Sequence, residues 1–256
     1  MLSKLRFALI VVLLLILIVV NLQSIAASTL PIISKPLIYG FKTIYGIKLE
    51  DYKRKSISDY MSLNDFFTRE IESRVMEDGV VSPVDGKILQ RGAIDGLAMI
   101  QAKGKKFTLP QFLQVDDPAR MENGDFVTIY LAPYNYHRVH MPCDGTLIAV
   151  KQIAGQSLPV NMFAVNNVSG LYSVNERVVM VFDVNGYYMI LVLVGALFVD
   201  SIDYTTKLGA YKKGDEVGKF NFGSTVVMLF EHGLVKNIMK GTVHMGRTIA
   251  QFQANQ

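Results

Sequence analysis

His137 and His140 stand three residues apart in Tyr136-His137-Arg138-Val139-His140-Met141-Pro142. On a helix the two would share a face; on an irregular strand end they would not. Two imidazoles at this spacing can ligate a metal, but catalytic zinc takes three protein ligands, so a carboxylate such as Asp85 would have to complete the set. The alternative is that one or both are hydrogen-bonded structural histidines. A second constellation, Gly218-Lys219-Phe220-Asn221-Phe222-Gly223-Ser224-Thr225, runs straight into an apolar segment. Gly-Ser-Thr occurs in many turns and alone carries little weight. Glycine before serine does give the backbone freedom to twist, so that the serine oxygen can attack the preceding carbonyl. Self-cleavage at Gly223–Ser224 is therefore open to this sequence.

These residues need a frame. From Val80 onward, apolar or alternating runs are divided by turn residues: GKILQ, FVTIYLAP, GTLIAVKQI, RVVMVFDV, YYMILVLVGALFV and STVVMLF, the pattern of strands. Two of them open alike. Ser82-Pro83-Val84-Asp85-Gly86-Lys87-Ile88 and Met141-Pro142-Cys143-Asp144-Gly145-Thr146-Leu147 share Pro-x-Asp-Gly, in which proline fixes one backbone angle and Asp-Gly supplies a tight turn. Two copies so far apart make no solenoid. The expected fold is α+β, predominantly β: a duplicated hairpin-type β sandwich or barrel, preceded by N-terminal membrane-associated helices.

Residues 7–20 (FALIVVLLLILIVV) are unbroken apolar, and no charge falls between Arg6 and Lys35. As a helix extended to Ala27 the run covers about 30 Å, one hydrocarbon core. We read residues 1–30 as a hydrophobic membrane anchor, although Lys4 and Arg6 before the run and Ser24 and Ala26 after it also fit a cleavable signal peptide. Residues 31–75 read as a membrane-proximal helical segment. Within it SISDYMSLNDFFTREI offers Ser or Asp caps ahead of Tyr60, Leu63, Phe66 and Phe67 at helical spacing, a core-facing stripe. Residues 76–256 are left for the catalytic domain. Half of the 256 residues are apolar and 19% are charged, which excludes a disordered chain. A net charge of +4, from 26 basic and 22 acidic residues, is too evenly mixed to argue for nucleic acid and compatible with an anionic membrane surface. With Cys143 alone, neither an intramolecular disulfide nor a cysteine metal cluster can form.

NDFFTRE (64–70), SPVDGKI (82–88), IQAKG (100–104), YLAPYNYHRVHMPCDG (130–145), VNERV (174–178), VGALFVDSI (194–202) and KGDEVGKFNFGSTVVMLF (213–230) resemble, in this order, successive blocks of bacterial phosphatidylserine decarboxylases. The resemblance implies a pyruvoyl enzyme that processes itself between Gly223 and Ser224. The hydroxyl of Ser224 attacks the Gly223 carbonyl, the resulting ester leaves by elimination, and residue 224 ends as a pyruvoyl group heading a small chain that stays with the large one. It further implies His140 as the base of this step, Asp85 as the carboxylate holding its tautomer, and His137 in proton delivery during decarboxylation. The implied reaction converts phosphatidylserine to phosphatidylethanolamine through a Schiff base on the pyruvoyl ketone, with no metal or added coenzyme. The implied place is the cell membrane, with the catalytic domain at the cytoplasmic face; a homodimer is compatible. Phe222 departs from the family's usual leucine before Gly-Ser-Thr. The competing readings are a decarboxylase of a soluble amino acid in the same family, a zinc-dependent cell-wall peptidase with Asp85, His137 and His140 as ligands, and a membrane-tethered β module without catalysis.

Overall fold

The computed structural model describes residues 23–102, 105–196 and 201–253. The apolar run at 7–20, read as an anchor, lies outside them. Among the described residues no helix is long and apolar enough to cross a membrane. The strands in chain order are β1 (Val80–Val81), β2 (Gly86–Ala93), β3 (Ala98–Ala102), β4 (Lys105–Thr108), β5 (Asp125–Leu131), β6 (Arg138–His140), β7 (Gly145–Ile153), β8 (Arg177–Val184), β9 (Tyr187–Gly195), β10 (Ile202–Asp203), β11 (Gly209–Tyr211), β12 (Glu216–Phe220), β13 (Ser224–Phe230), β14 (Val235–Lys236), β15 (Gly241–Val243) and β16 (Thr248–Phe252). The helices used below are α1 (Pro31–Tyr45), α2 (Leu63–Phe67), α3 (Leu109–Leu113), α4 (Met162–Asn167) and α5 (Leu171–Val174). The six runs expected as strands form β2, β5, β7, β8, β9 and β13, the fifth as far as Gly195, with residues 197–199 of that run outside the described residues.

Eight strands form one antiparallel sheet in the order β11-β7-β8-β9-β13-β5-β2-β15. Its two ends do not pair with each other, so the barrel held open by the sequence does not close among the described strands. The inner strands are apolar on both faces for a reason. Val226, Met228 and Phe230 of β13 join one core with Met189, Leu191 and Leu193 of β9, under the small sheets β10-β12-β6 and β1-β16-β14. Val227 and Leu229 join a second core on the other face with Val192 and Val194, covered by the β3–β4 hairpin and by α3, α4 and α5. A strand buried on both faces loses the polar alternation of a solvent-facing sheet, hence the continuous runs in the sequence.

The repeated Pro-x-Asp-Gly turns occupy matching places, each feeding the strand next to a sheet edge. Gly145 and Leu147 pair with Tyr211 and Gly209 of β11; Gly86 and Ile88 pair with Val243 and Gly241 of β15. Each strand then shifts register at the same step, after Ile88 in β2 and after Leu147 in β7. Even the aspartates match: Asp144 accepts from the backbone N of Lys213 and Asp85 from that of Met245, both at 2.8 Å and both two residues past the edge strand.

The helical segment packs on this body. Pro31 fits the first turn of α1, where no N–H is required, and Gly46 ends the helix in left-handed backbone (φ 62°), its N–H bonding to Lys42 and Thr43. Ser62 Oγ caps α2 by accepting from Asp65 N at 3.1 Å. Of the expected stripe Tyr60, Phe66 and Phe67 are buried and Leu63 half-buried, Tyr60 standing before the helix rather than on it. Ile38, Ile47, Leu49, Tyr52, Tyr60 and Phe66 share a core with Tyr136 and Met245 of the body.

The repeated turns are not equally tight. A Cβ on Gly86 would lie 2.8 Å from Ile129 Cγ2 and collide with the Tyr130 carbonyl, whereas one on Gly145 would meet Asp183 O at 3.0 Å. Gly86→Ala is therefore expected to cost about 1–3 kcal/mol, and Gly145→Ala less. Urea denaturation of the two variants checks the order.

Candidate active site

Ser224 is the first residue of β13, opposite Leu131 of β5 on one side and Gly195 of β9 on the other. Side chains alternate along a strand, so Ser224 shares the face of Val226 and Met228, the one covered by β6 and β12. It is fully buried and its Oγ makes no hydrogen bond. A bend over residues 221–223 delivers the chain to it, held where Asn221 N donates to Ser201 O at 2.8 Å. Gly223 does not take a positive φ, so its backbone lies outside the left-handed region. With Phe222 it lines a cavity of about 320 Å3 whose other walls include Phe41, Tyr45, Phe67 and Tyr130.

His137 lies just before β6, its carbonyl accepting from Phe220 N at 2.9 Å. Its Nδ1 faces the carbonyl of Asn135 at 2.9 Å and so must carry the proton; Nε2, buried, keeps a lone pair with no partner. The ring packs on Phe67 (centroids 3.9 Å), and Phe67 packs on Phe222 (5.2 Å). Complete burial, aided by the nearby Arg69 charge and opposed by the bond to Asn135, pushes His137 down from 6.5 to about 3. It is a neutral imidazole with a free acceptor, beside a side chain that lines the cavity.

Arg69 holds that arrangement and was not singled out from the sequence. Fully buried, it donates to Tyr134 O (2.7 Å) and Asn135 O (3.0 Å), and more distantly to Phe66 O (3.4 Å) and Phe67 O (3.5 Å). One guanidinium thus ties the end of α2 to the turn that presents His137. The signal was there in NDFFTRE: an arginine just past an aromatic helix, where the last carbonyls need donors.

His140 has other surroundings, as the strand setting of β6 implies. Its Nδ1–H donates to Gly214 O at 2.8 Å, and its Nε2 accepts from the Tyr136 hydroxyl at 2.9 Å, the two rings stacked at 5.6 Å. Burial lowers its pKa. Asp85 accepts both guanidinium nitrogens of Arg74, the Nη2–Oδ2 bond being 2.9 Å, as well as Met245 N. The direct bond expected between Asp85 and His140 is not made: the Gly214 carbonyl sets the tautomer, and Arg74 takes the carboxylate. They connect through Arg74, which lies 5.7 Å from the centre of the Tyr136 ring. Arg74 also lines a separate polar cavity of about 420 Å3 with His244 and Arg247. Among the described residues no three His, Cys, Asp or Glu side chains gather to hold a metal, so Asp85, His137 and His140 do not form the ligand set considered above. Cys143 is buried 3.9 Å from Met189 Sδ, and burial pushes its thiol up to about 12.

A buried serine at the head of a central strand, with a neutral histidine on the covering layer, belongs to a mixed α+β protein that keeps an unpaired hydroxyl inside the fold. Comparison with known proteins gives the family. A family model described as phosphatidylserine decarboxylase matches residues 63–251. Proteins named phosphatidylserine decarboxylase proenzyme are 38% identical in Psychrobacter arcticus, covering 89% of each chain, and 36% identical in Shewanella amazonensis, covering 89% of this chain and 91% of the relative. One from Acinetobacter baumannii is 39% identical over 81% of this chain and 80% of its own. The chain belongs to the phosphatidylserine decarboxylase family.

The buried histidines give stability a pH dependence of definite sign. Between pH 6.5 and about 3 the unfolded chain protonates His137 while the folded chain does not, and His140 shifts the same way. Stability is therefore expected to fall as pH drops below 6.5, at a rate approaching about 1.4 kcal/mol per pH unit for His137. Urea midpoints of an uncut Ser224→Ala chain at pH 7, 6 and 5 measure the slope; adding His137→Gln should make it shallower.

Proposed function

We propose that the chain is the precursor of an enzyme that decarboxylates phosphatidylserine to phosphatidylethanolamine, and that it prepares itself by cutting the Gly223–Ser224 bond. The observation that carries this reading is the Ser224 hydroxyl, wholly buried and without a partner, directly after the glycine that lines an apolar cavity. The name of the relatives, a decarboxylase proenzyme, points the same way.

The residues fit a pyruvoyl group at position 224. The unpaired, buried Ser224 Oγ and the apolar cavity at Gly223 leave room for a small carbonyl group, and the strand that bears it is anchored on both sides. After cleavage the small chain would keep β13 between β5 and β9, and β15 and β16 against β2 and β1, so the two chains hold together without a covalent link. When present, the pyruvoyl group supplies a ketone for the substrate amine and a sink for the electrons that carbon dioxide leaves behind.

For processing, Ser224 Oγ adds to the Gly223 carbonyl and a base takes its proton. We assign that base to His140, supported by its place in the HRVHMP block. Its Nε2 is already engaged by the Tyr136 hydroxyl, so Tyr136 belongs to the same unit and must give up its hydrogen bond when the proton moves. Asp85 acts on this unit through Arg74 rather than by direct contact. His137, with its free Nε2 beside Phe67, is assigned to the substrate. Neutral as it stands, it takes up a proton at Nε2 before it can deliver one there.

The membrane is the proposed place of action. The outward side of α1 carries Ile32, Pro36, Tyr39 and Ile44, all exposed, although the helix is already packed by Ser34 and Ile38. A helix apolar on both sides suits a bilayer surface. No acidic residue precedes Glu50, which suits an anionic lipid surface.

Intact mass under denaturing conditions tests the processing. Wild-type protein should give chains ending at Gly223 and beginning at residue 224, and Ser224→Ala one uncut polypeptide; a normally split Ser224→Ala chain would sink the proposal. His140→Ala and Asp85→Asn should stay uncut, while Asp144→Asn, altered at the equivalent turn, should split normally. His137→Ala should split but lose about 100-fold or more in turnover. Carbon dioxide release from phosphatidylserine, free serine and free tryptophan then separates a lipid substrate from a soluble amino acid.

A further inference from the structure

The cavity that reaches Gly223 is lined by Phe41 and Tyr45 of α1 and also by Pro159, Val160 and Asn161. Asn161 also caps α4, its side-chain oxygen accepting from Ala164 N at 3.0 Å. This cap fixes the first turn of the helix. Ala164 and Val165 face inward and are buried, so Met162 and Phe163 are turned out, 51% and 77% exposed. Two large apolar side chains side by side in water, on a capped and packed turn, are not a core stripe that has slipped.

The surroundings of this lip are unusually free of charge. From Gln152 to Asn175 the sequence holds no charged residue, in a chain that is 19% charged. Tyr45 of the cavity lining and Tyr134 are 39% and 53% exposed, their rings 6.3 Å apart. Tyrosines of this kind favour the boundary between lipid and water. α1, which supplies Tyr45, also turns apolar side chains outward at Ile32, Tyr39 and Ile44.

We propose that Met162 and Phe163 form a second membrane-inserting lip, which enters the bilayer across the cavity mouth from α1. The mouth then opens into lipid, and a phospholipid reaches Gly223 and Ser224 by sliding sideways between α1 and the lip while its acyl chains stay out of water. This rests on the reading that the substrate is a membrane phospholipid. Inserting one phenylalanine withdraws enough apolar surface from water for about tenfold in partition.

The chain has no tryptophan, so Phe163→Trp places a single fluorescent reporter on the lip. On vesicles of phosphatidylcholine and phosphatidylserine its emission should shift to the blue and be quenched when the acyl chains are brominated. Leu208→Trp, exposed on the turn before β11 and outside the cavity lining, should show neither effect. A double variant, Met162→Ser with Phe163→Ser, should lose about tenfold in kcat/KM on vesicles. It should keep its rate on dihexanoyl phosphatidylserine below the micelle concentration. An unquenched Phe163→Trp reporter on protein that sediments with vesicles overturns the lip and leaves the membrane reading standing. Equal loss on both substrates also overturns it, since the lip would then be part of the catalytic wall. A blue shift that grows with protein concentration in the absence of vesicles would assign the surface to a second copy of the chain instead. Failure of the wild-type chain to sediment with vesicles defeats both the lip and the membrane reading beneath it.

Discussion

The double-sided ladder of β13 is the constraint on which the rest depends. Seven consecutive residues, Ser224 to Phe230, pair with β5 on one side and β9 on the other, and all seven are buried. Ladder bonds use only the backbone, so they can fix the position of Ser224 without occupying its hydroxyl. A buried hydroxyl without a partner costs about 1–3 kcal/mol. The strand tolerates that because Val226 to Phe230 add apolar burial to two cores at once, each side chain contributing about 1.5–3 kcal/mol. The sheet thus holds a reactive group still and unsatisfied.

The covering layer does the opposite with His137, whose backbone is held by β12 and whose ring is held by Phe67. Arg69 places both, since it binds the carbonyls of Phe66 and Phe67 at the end of α2 and those of Tyr134 and Asn135 ahead of the histidine. The same cation, close by and desolvated, helps to keep the imidazole neutral. Position and protonation state therefore have one source. The 31–75 segment is part of the site, because α2 supplies Phe67 to the cavity as well as Arg69 to the turn.

The strands, the doubled turn and the aromatic stripe were legible because each is a local pattern: a run, a dipeptide at a fixed offset, a helical spacing. Ser224 and His137 were candidates through the family blocks, which give residue type and order but not burial or partners. The partners of Asp85 and His140 were not, since Arg74, Gly214 and Met245 come to them from 11, 74 and 160 residues away, respectively, and only topology brings them close. Spacing allowed the two histidines to ligate one metal. An odd offset into a short strand instead gives them different neighbours, Phe67 for one and Tyr136 for the other. Phe67 exposed a further limit of pattern reading, because it is both a core residue, as its spacing said, and a wall of the cavity.

The repeat sets two equivalent aspartates in different surroundings. Asp85 and Asp144 sit in the same turn, accept the same kind of backbone bond and lie next to equivalent edge strands, so the fold itself does not distinguish them. Their surroundings do. The side chain of Asp144 is 59% exposed beside Lys212, while that of Asp85 is 9% exposed beside Arg74. Arg74 comes from the end of the segment that precedes the sheet, and the core of that segment, through Tyr136 and Met245, closes over only one of the two turns. A carboxylate in water is screened and bound loosely, whereas one under a protein layer is fixed in place and its charge is felt by its neighbours. Adding the N-terminal segment to one side of a two-fold pattern is thus enough to take one aspartate out of water and clamp it to Arg74, which itself packs over the Tyr136 ring.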